Sequence, residues 1–514
     1  MSSIIFKILI FLLLISNISF AQENKLLRIE LDAKENEYPY DLIPLQDNGM
    51  ILFYRTANTL SASEINWYFS FYDVNLKKGL SKEIPINDKL SYKKNFISRD
   101  TIFLFFQDIS KKNRINNYSI IIIDIVSKAY QVINGIFPDK GIIDDFQIFG
   151  NKAFFSFQSD DEYATLLSRN LQSDKTEDFF YNERGILEIE KIIIDSASGS
   201  LNLILKKSIA KKQYGLFYYE LDMDGEIIDS LQIKPDIEGK QLKKGMLYID
   251  DNDKIIIGTY LNIKGKSSKL DSNVDNESSG IFFTNFKNNI QQSIRFYSYL
   301  DFRNFSVYLS DADLMKYKRK LEKKEKKGKD FSINYKLLVH DIIRHNDQYI
   351  FSAEAYYPEY HTVSYMSYDY YGRAVPQYYS VFDGYRYTNA LIASFDKNGE
   401  VQWSNIFDML KIISFSLKER VNCFFDGDDI ILSYTENGQI ASEIINGDEV
   451  VGELEHTDIA TSHSNDVIVE DKRSEMEHWY NNNFIVYGYQ TIKNNYLSGK
   501  RKRTVFYVNK IVFE

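Results

Sequence analysis

An all-β chain built from about eight repeated units of four strands, with seven as the other count, is what this sequence predicts. Three observations predict it: a recurring hairpin, a spacing near 50 residues, and a strand-forming composition. Of 514 residues, 38 are Tyr and 36 Phe, against 24 Gly and 7 Pro. Aromatic and β-branched residues suit pleated surfaces, and so few Gly and Pro exclude collagen-like or linker-rich chains.

The hairpin has one form throughout. A strand-like segment ends in a turn of Asp, Asn or Gly, and a strongly apolar strand follows at once. Tyr40-Asp-Leu-Ile-Pro-Leu-Gln, Asp47-Asn-Gly and Met50-Ile-Leu-Phe-Tyr make the first copy. The first apolar residues of the second strands are Met50, Ile102, Ala153, Leu201, Ile255, Tyr349, Ile430 and Phe484, spaced by 52, 51, 48, 54, 94, 81 and 54. Five spacings are near 50, and each of the two long ones contains an insertion. Each unit has room for two further strands, as in Tyr118-Ser-Ile-Ile-Ile-Ile-Asp124 and then Ala129-Tyr-Gln-Val-Ile. Four-stranded units of this period stack radially as a β-propeller, because each sheet needs a neighbour to cover its apolar faces. Lys25-Leu-Leu-Arg-Ile-Glu-Leu31 precedes the first unit and is placed to pair with the last, closing the ring.

The N-terminus reads as an export signal. Lys7 is followed by an apolar run to Phe20, and Ser19-Phe20-Ala21 offers small residues at a cleavage position. Residues 1–21 are therefore expected to be removed, leaving residues 22–514 as one domain in the periplasm or at the cell surface. No later run approaches the roughly 18 apolar residues of a membrane span. Cys423 is the only cysteine, so there is no intrachain disulfide and no cysteine-based zinc site. The net charge of −10, from 62 basic and 72 acidic residues, argues against nucleic-acid binding.

Two insertions interrupt the period. The first, at about 303–331, carries nine basic and three acidic residues between Lys316 and Asp330, and Ser310 with Asp313 predicts that it opens as a short charged helix. The second, at about 357–387, is a tyrosine-rich loop, with eleven tyrosines between 356 and 387. Tyr gives a rigid flat surface with a hydroxyl, suited to protein or glycan surfaces. The candidate contact residues are Tyr357, Tyr360, His361, Tyr368, Tyr370, Tyr371, Arg373, Tyr378 and Tyr379. Folding down onto the propeller is the alternative for this loop.

One phrase, Asn389-Ala-Leu-Ile-Ala-Ser-Phe-Asp-Lys-Asn-Gly-Glu-Val-Gln-Trp403, resembles a blade of quinoprotein-like propellers. Only Trp67, Trp403 and Trp479 occur in the chain, so the repeated tryptophan docking of that family is missing, and no quinone or metal is implied. The whole resembles the exported propellers of Bacteroidota, which implies a fold and little chemistry. No His-Glu-x-x-His, Gly-x-Ser-x-Gly or P-loop is present. Asp222-Met-Asp-Gly-Glu226 and Asp426-Gly-Asp-Asp429 read as turns, not calcium loops. Lys500-Arg-Lys-Arg503 reads as an exposed turn. The expected function is non-catalytic binding of an envelope protein or glycan without a cofactor; the alternative is a glycan hydrolase or lyase with residues from several blades.

Overall fold

The computed structural model describes residues 27–513 except for internal breaks, the longest being 264–276 and, apart from residues 315, 319 and 323, 303–332. The export signal and almost all of the charged insertion therefore lie outside the described residues.

The chain is an all-β propeller of antiparallel sheets, almost without helix. Eight sheets follow one another, seven with a four-strand path and the sixth enlarged around a long hairpin. The second sheet shows the pattern: Ser91–Ser98, Thr101–Gln107, Asn116–Asp124 and Tyr130–Phe137 pair in chain order. Continuous apolar runs such as Ile102–Phe106 are buried on both sides because both neighbours are sheets.

Eight hydrophobic clusters join the sheets, one at each interface. Phe53 and Trp67 of the first sheet meet Ile102 and Phe106 of the second, and the series continues round to Ile440 against Val486. The last cluster joins Trp479 and Phe506 of the eighth sheet to Leu42 and Leu52 of the first, closing the ring.

A strand from the opposite end of the chain completes the eighth sheet. Arg28–Asp32 pairs antiparallel with Lys502–Val512, Arg28 opposite Asn509 and Asp32 opposite Val505. Arg28 is buried there: its guanidinium donates to Glu30 (2.8 Å), Asn509 (2.9 Å), Gln490 (2.9 Å) and the Ala460 carbonyl (3.1 Å). Arg503 is no turn residue; it lies on the last strand and pairs with Glu30 (3.0 Å) and Asp466 (2.6 Å). Burial works against the Glu30 charge, but hydrogen bonds from Arg503 and Arg28 hold its carboxyl below the usual range.

The tyrosine-rich segment is not a loop. Gln348–Tyr368 and Ala374–Phe395 form one long hairpin paired from Tyr349–Phe395 out to Tyr368–Ala374. Inner and outer neighbours of the sixth sheet stop at Tyr356 and Asn389. The remainder projects as a two-stranded arm, paired among the described residues only at its base, by Ile413–Ser414. At ~3.4 Å per residue the twelve residues from 357 to 368 span roughly 40 Å. Alternating Tyr, Ser and Val suit a strand, and Pro358 and Pro376 are tolerated because the arm has open edges.

Candidate binding arm and channel

The arm holds together by local chemistry. At its tip the Asp369 carboxylate accepts from the Tyr371 and Arg373 amides (2.9 and 2.8 Å), and Gly372 supplies a left-handed φ of 74°. Near its base Arg386 pairs with Glu359 at 2.7 Å and His361 with Asp383 at 2.6 Å. Gly384, at φ 134°, lies so close to Ile413 that a Cβ would meet its side chain at 2.7 Å.

Every sequence-predicted contact residue lies on this arm and is exposed: Tyr357, Tyr360, His361, Tyr368, Tyr370, Tyr371, Arg373, Tyr378 and Tyr379. They do not share one surface. Register puts Tyr360, Met366, Tyr368, Tyr378 and Phe382 on one face, and His361, Tyr365 and Tyr379 on the other. Tyr370, at the tip, is 97 % exposed. At the base, the Phe382 ring packs on Tyr385 (5.1 Å) and reaches Phe415 (6.5 Å), which is itself 78 % exposed. Aromatic surface thus runs from the tip to the propeller body.

From Phe415 the chain passes to the channel. The segment Ser414–Val421 is clamped on the arm's root, where the Tyr387 hydroxyl donates to the Lys418 carbonyl (2.6 Å). The fully buried Glu354 carboxylate accepts from the Arg420 and Val421 amides, both at 2.7 Å, and lies 2.9 Å from His340 Nε2. Burial opposes charge on His340, but Glu354 outweighs it and holds the imidazolium above its ordinary pKa. A raised folded-state pKa stabilises fully below the unfolded value of ~6.5 and is lost as pH climbs through the raised one. Urea unfolding at pH 5.5, 7 and 8.5 is expected to show this decline above ~6.5, and His340→Gln to lack it. An equal decline in the variant would refute the assignment.

The first strands of successive sheets face the axis, and several are bulged at a charged residue. Pairing skips Lys93, Asp144, Glu190 and Lys243 in the second to fifth sheets, and Arg473-Ser474 in the eighth. A bulge re-aims a side chain without ending the strand. Here the charges answer one another. Lys94 donates to the Asp144 carbonyl, Lys206 binds Glu188 (2.6 Å) and Glu190 (2.7 Å), and Lys191 binds Asp341 (2.7 Å). Loss of bulk water, then the Glu188 charge, pushes the Asp144 carboxyl up to about 6. Sequence reading missed these residues. Their signal is a pair of adjacent polar residues breaking an apolar strand: Lys93-Lys94, Asp144-Asp145, Glu190-Lys191, Lys243-Lys244.

Where the first, second and eighth sheets meet, the channel widens to a cavity of about 520 Å³. Asp41, Tyr92, Lys418, Glu475, Glu477 and His478 line it. Lys418 binds Glu475, and the Tyr487 hydroxyl donates to Glu477 (2.5 Å) and Glu475 (3.2 Å). Removal from water, then the neighbouring Glu475 charge, pushes the Asp41 carboxyl up to about 7. A larger cavity of about 1130 Å³ lies beside Lys191 and Asp341. Among the described residues, no group of three or more His, Cys, Asp or Glu is placed to hold a metal ion, and no helix is long and apolar enough to cross a membrane.

No protein-family model matches the sequence, and no curated protein matches it either. Solved structures are similar in fold alone. The β-propeller domain of the trilobed protease from Pyrococcus furiosus is 9% identical with a TM-score of 0.36, covering 82% of this chain and 93% of that one. The polysaccharide lyase Uly1 is 10% identical with a TM-score of 0.37, over 82% and 89%. A prolyl endopeptidase is 10% identical with a TM-score of 0.37, over 90% of this chain and 55% of its own.

Proposed function

We propose that the chain is an exported, non-catalytic propeller of the cell envelope that holds a protein or glycan partner against its aromatic arm. One observation carries this reading: the arm exposes tyrosines on both faces while its own Glu359, Arg386, His361 and Asp383 pair internally. Exposed aromatic surface of this extent marks interaction sites. With those charges already satisfied, the arm offers rings and hydroxyls, which favours stacking and hydrogen bonding over ion pairing.

The test is to replace residues 358–385 with Asn-Gly, a tight-turn pair for adjacent strands. Among the described residues the replaced segment meets the propeller at its base, through Phe382, Gly384 and Tyr385, so the melting temperature is expected to move by no more than about 5 °C. Capture of the partner from envelope extracts is expected to vanish. Undiminished capture would remove the arm from the site.

A second reading, a glycan hydrolase or lyase, draws support from the channel cavity, where Asp41, Tyr92, Glu475 and His478 come together from three sheets. New reducing ends or unsaturated products from a polysaccharide panel, lost in Glu475→Gln, would favour it.

A further inference from the structure

The cavity between the first, second and eighth sheets differs from the arm in chemistry. Its volume of about 520 Å³ lies within the range of small-molecule sites, roughly 300–1,000 Å³. Its charged groups are largely answered from within: Lys418 neutralises Glu475, and Tyr487 donates to Glu477. Tyr92 donates to the Asn95 side-chain oxygen (2.7 Å), leaving the Asn95 amide hydrogens toward the space. Asp41 is the exception. Its carboxyl lines the cavity, and no hydrogen bond to it forms among the described residues.

A ligand here must both give and take hydrogen bonds. An anion would face Asp41, Glu475 and Glu477 together, which like-charge repulsion disfavours. Hydroxyl groups answer a carboxyl, an amide and an imidazole equally well. Tyr40, stacked on Phe506, and Tyr92, packed on Phe53 and Phe106, add partly exposed apolar edges to the lining, which suit the C–H groups of a sugar ring.

We propose that this pocket holds the end of a neutral sugar chain, with Asp41 and Asn95 as its hydrogen-bonding contacts. The proposal rests on the glycan half of the reading above and places a second contact in the channel, apart from the arm. Segment 414–421 joins the two, since it starts beside Phe415 at the arm's base and carries Lys418 into the cavity.

The probes are cellotetraose, xylotetraose, mannotetraose and maltotetraose, with spermidine and a trigalacturonate as charged controls. Titration calorimetry on the full chain and on the Asn-Gly arm replacement is expected to show one or more neutral tetraoses binding both. Asp41→Leu is expected to weaken that binding by at least about tenfold, and Asp41→Asn, which keeps hydrogen-bonding capacity, by no more than about threefold. Should Asp41→Leu misfold by circular dichroism, Asn95→Leu takes its place with the same expectation. The proposal falls if no tetraose binds at about 10 mM, if Asp41→Leu and Asn95→Leu bind normally, or if only spermidine binds. Binding lost on arm replacement yet kept in Asp41→Leu would assign the sugar to the arm, overturning the pocket while leaving the arm reading intact.

Discussion

Arg28→Met is expected to lower the unfolding free energy by about 3–5 kcal/mol, the range for breaking a buried charge network. The side chain is 1% exposed and joins three partners on the closing sheet and the Ala460 carbonyl in the segment that leads into it. Methionine fills much of the volume but donates nothing. Asn509 and Gln490, both fully buried, lose the donor to their side-chain oxygens, and Glu30 keeps Arg503 and Ser462. Urea unfolding followed by circular dichroism measures the loss. Lys78→Ala provides the control: Lys78 is exposed and lies over the Tyr68 ring at 5.2 Å, so its removal is expected to cost under about 0.5 kcal/mol. Equal effects would mean that ring closure does not depend on Arg28.

Lys206→Met is the second large effect, again about 3–5 kcal/mol at neutral pH. Lys206 is 3% exposed at its side chain and Glu190 2%, so the substitution strands a carboxylate in the interior, with Lys244 at 4.0 Å as its nearest remaining cation. In the native chain burial opposes the Glu190 charge, but Lys206 and Lys244 hold its carboxyl below the usual range. That stability is present above the unfolded carboxyl pKa of ~4.3 and fades as pH falls through the folded value. In the variant the carboxyl is instead easier to protonate when folded, so acid helps it. The gap between the two proteins is therefore expected to narrow as pH drops from 7 toward 4.5. A gap independent of pH would show that packing, not charge, carries the loss.

How much of this was legible in sequence depends on where the physics is local. Each of the eight anchor residues lies on an inner strand of a different sheet, paired on both sides. Seven of the preceding turns contain left-handed backbone, at Gly49, Arg99, Gly150, Gly199, Asn346 with Asp347, Gly427 and Asn481, and the fifth lies outside the described residues. Gly, Asn and Asp tolerate that conformation, which is why the turns announce themselves. The arm was half legible. Its tyrosines marked a surface, but as an insertion that broke the repeat spacing it read as a loop, whereas a ribbon with open edges accommodates Pro358 and Pro376. The channel was not legible, because Asp41, Tyr92, Lys418 and Glu475 come together only through the ring.

That closing strand also constrains the order of assembly. Glu30 and Arg503 are 473 positions apart, and the eighth sheet lacks its outer strand until both are in place. Seven interfaces can form between sheets consecutive in the chain, whereas the eighth must recruit its partner across almost the whole length. Contacts of such separation slow folding, since chain entropy is given up before they form. An opened ring would present the strand Lys502–Val512 with one edge unpaired, next to an uncovered Phe506 and Val508. A bare edge of this kind templates intermolecular pairing. The same five residues that finish the fold therefore also guard the nascent molecule against aggregation.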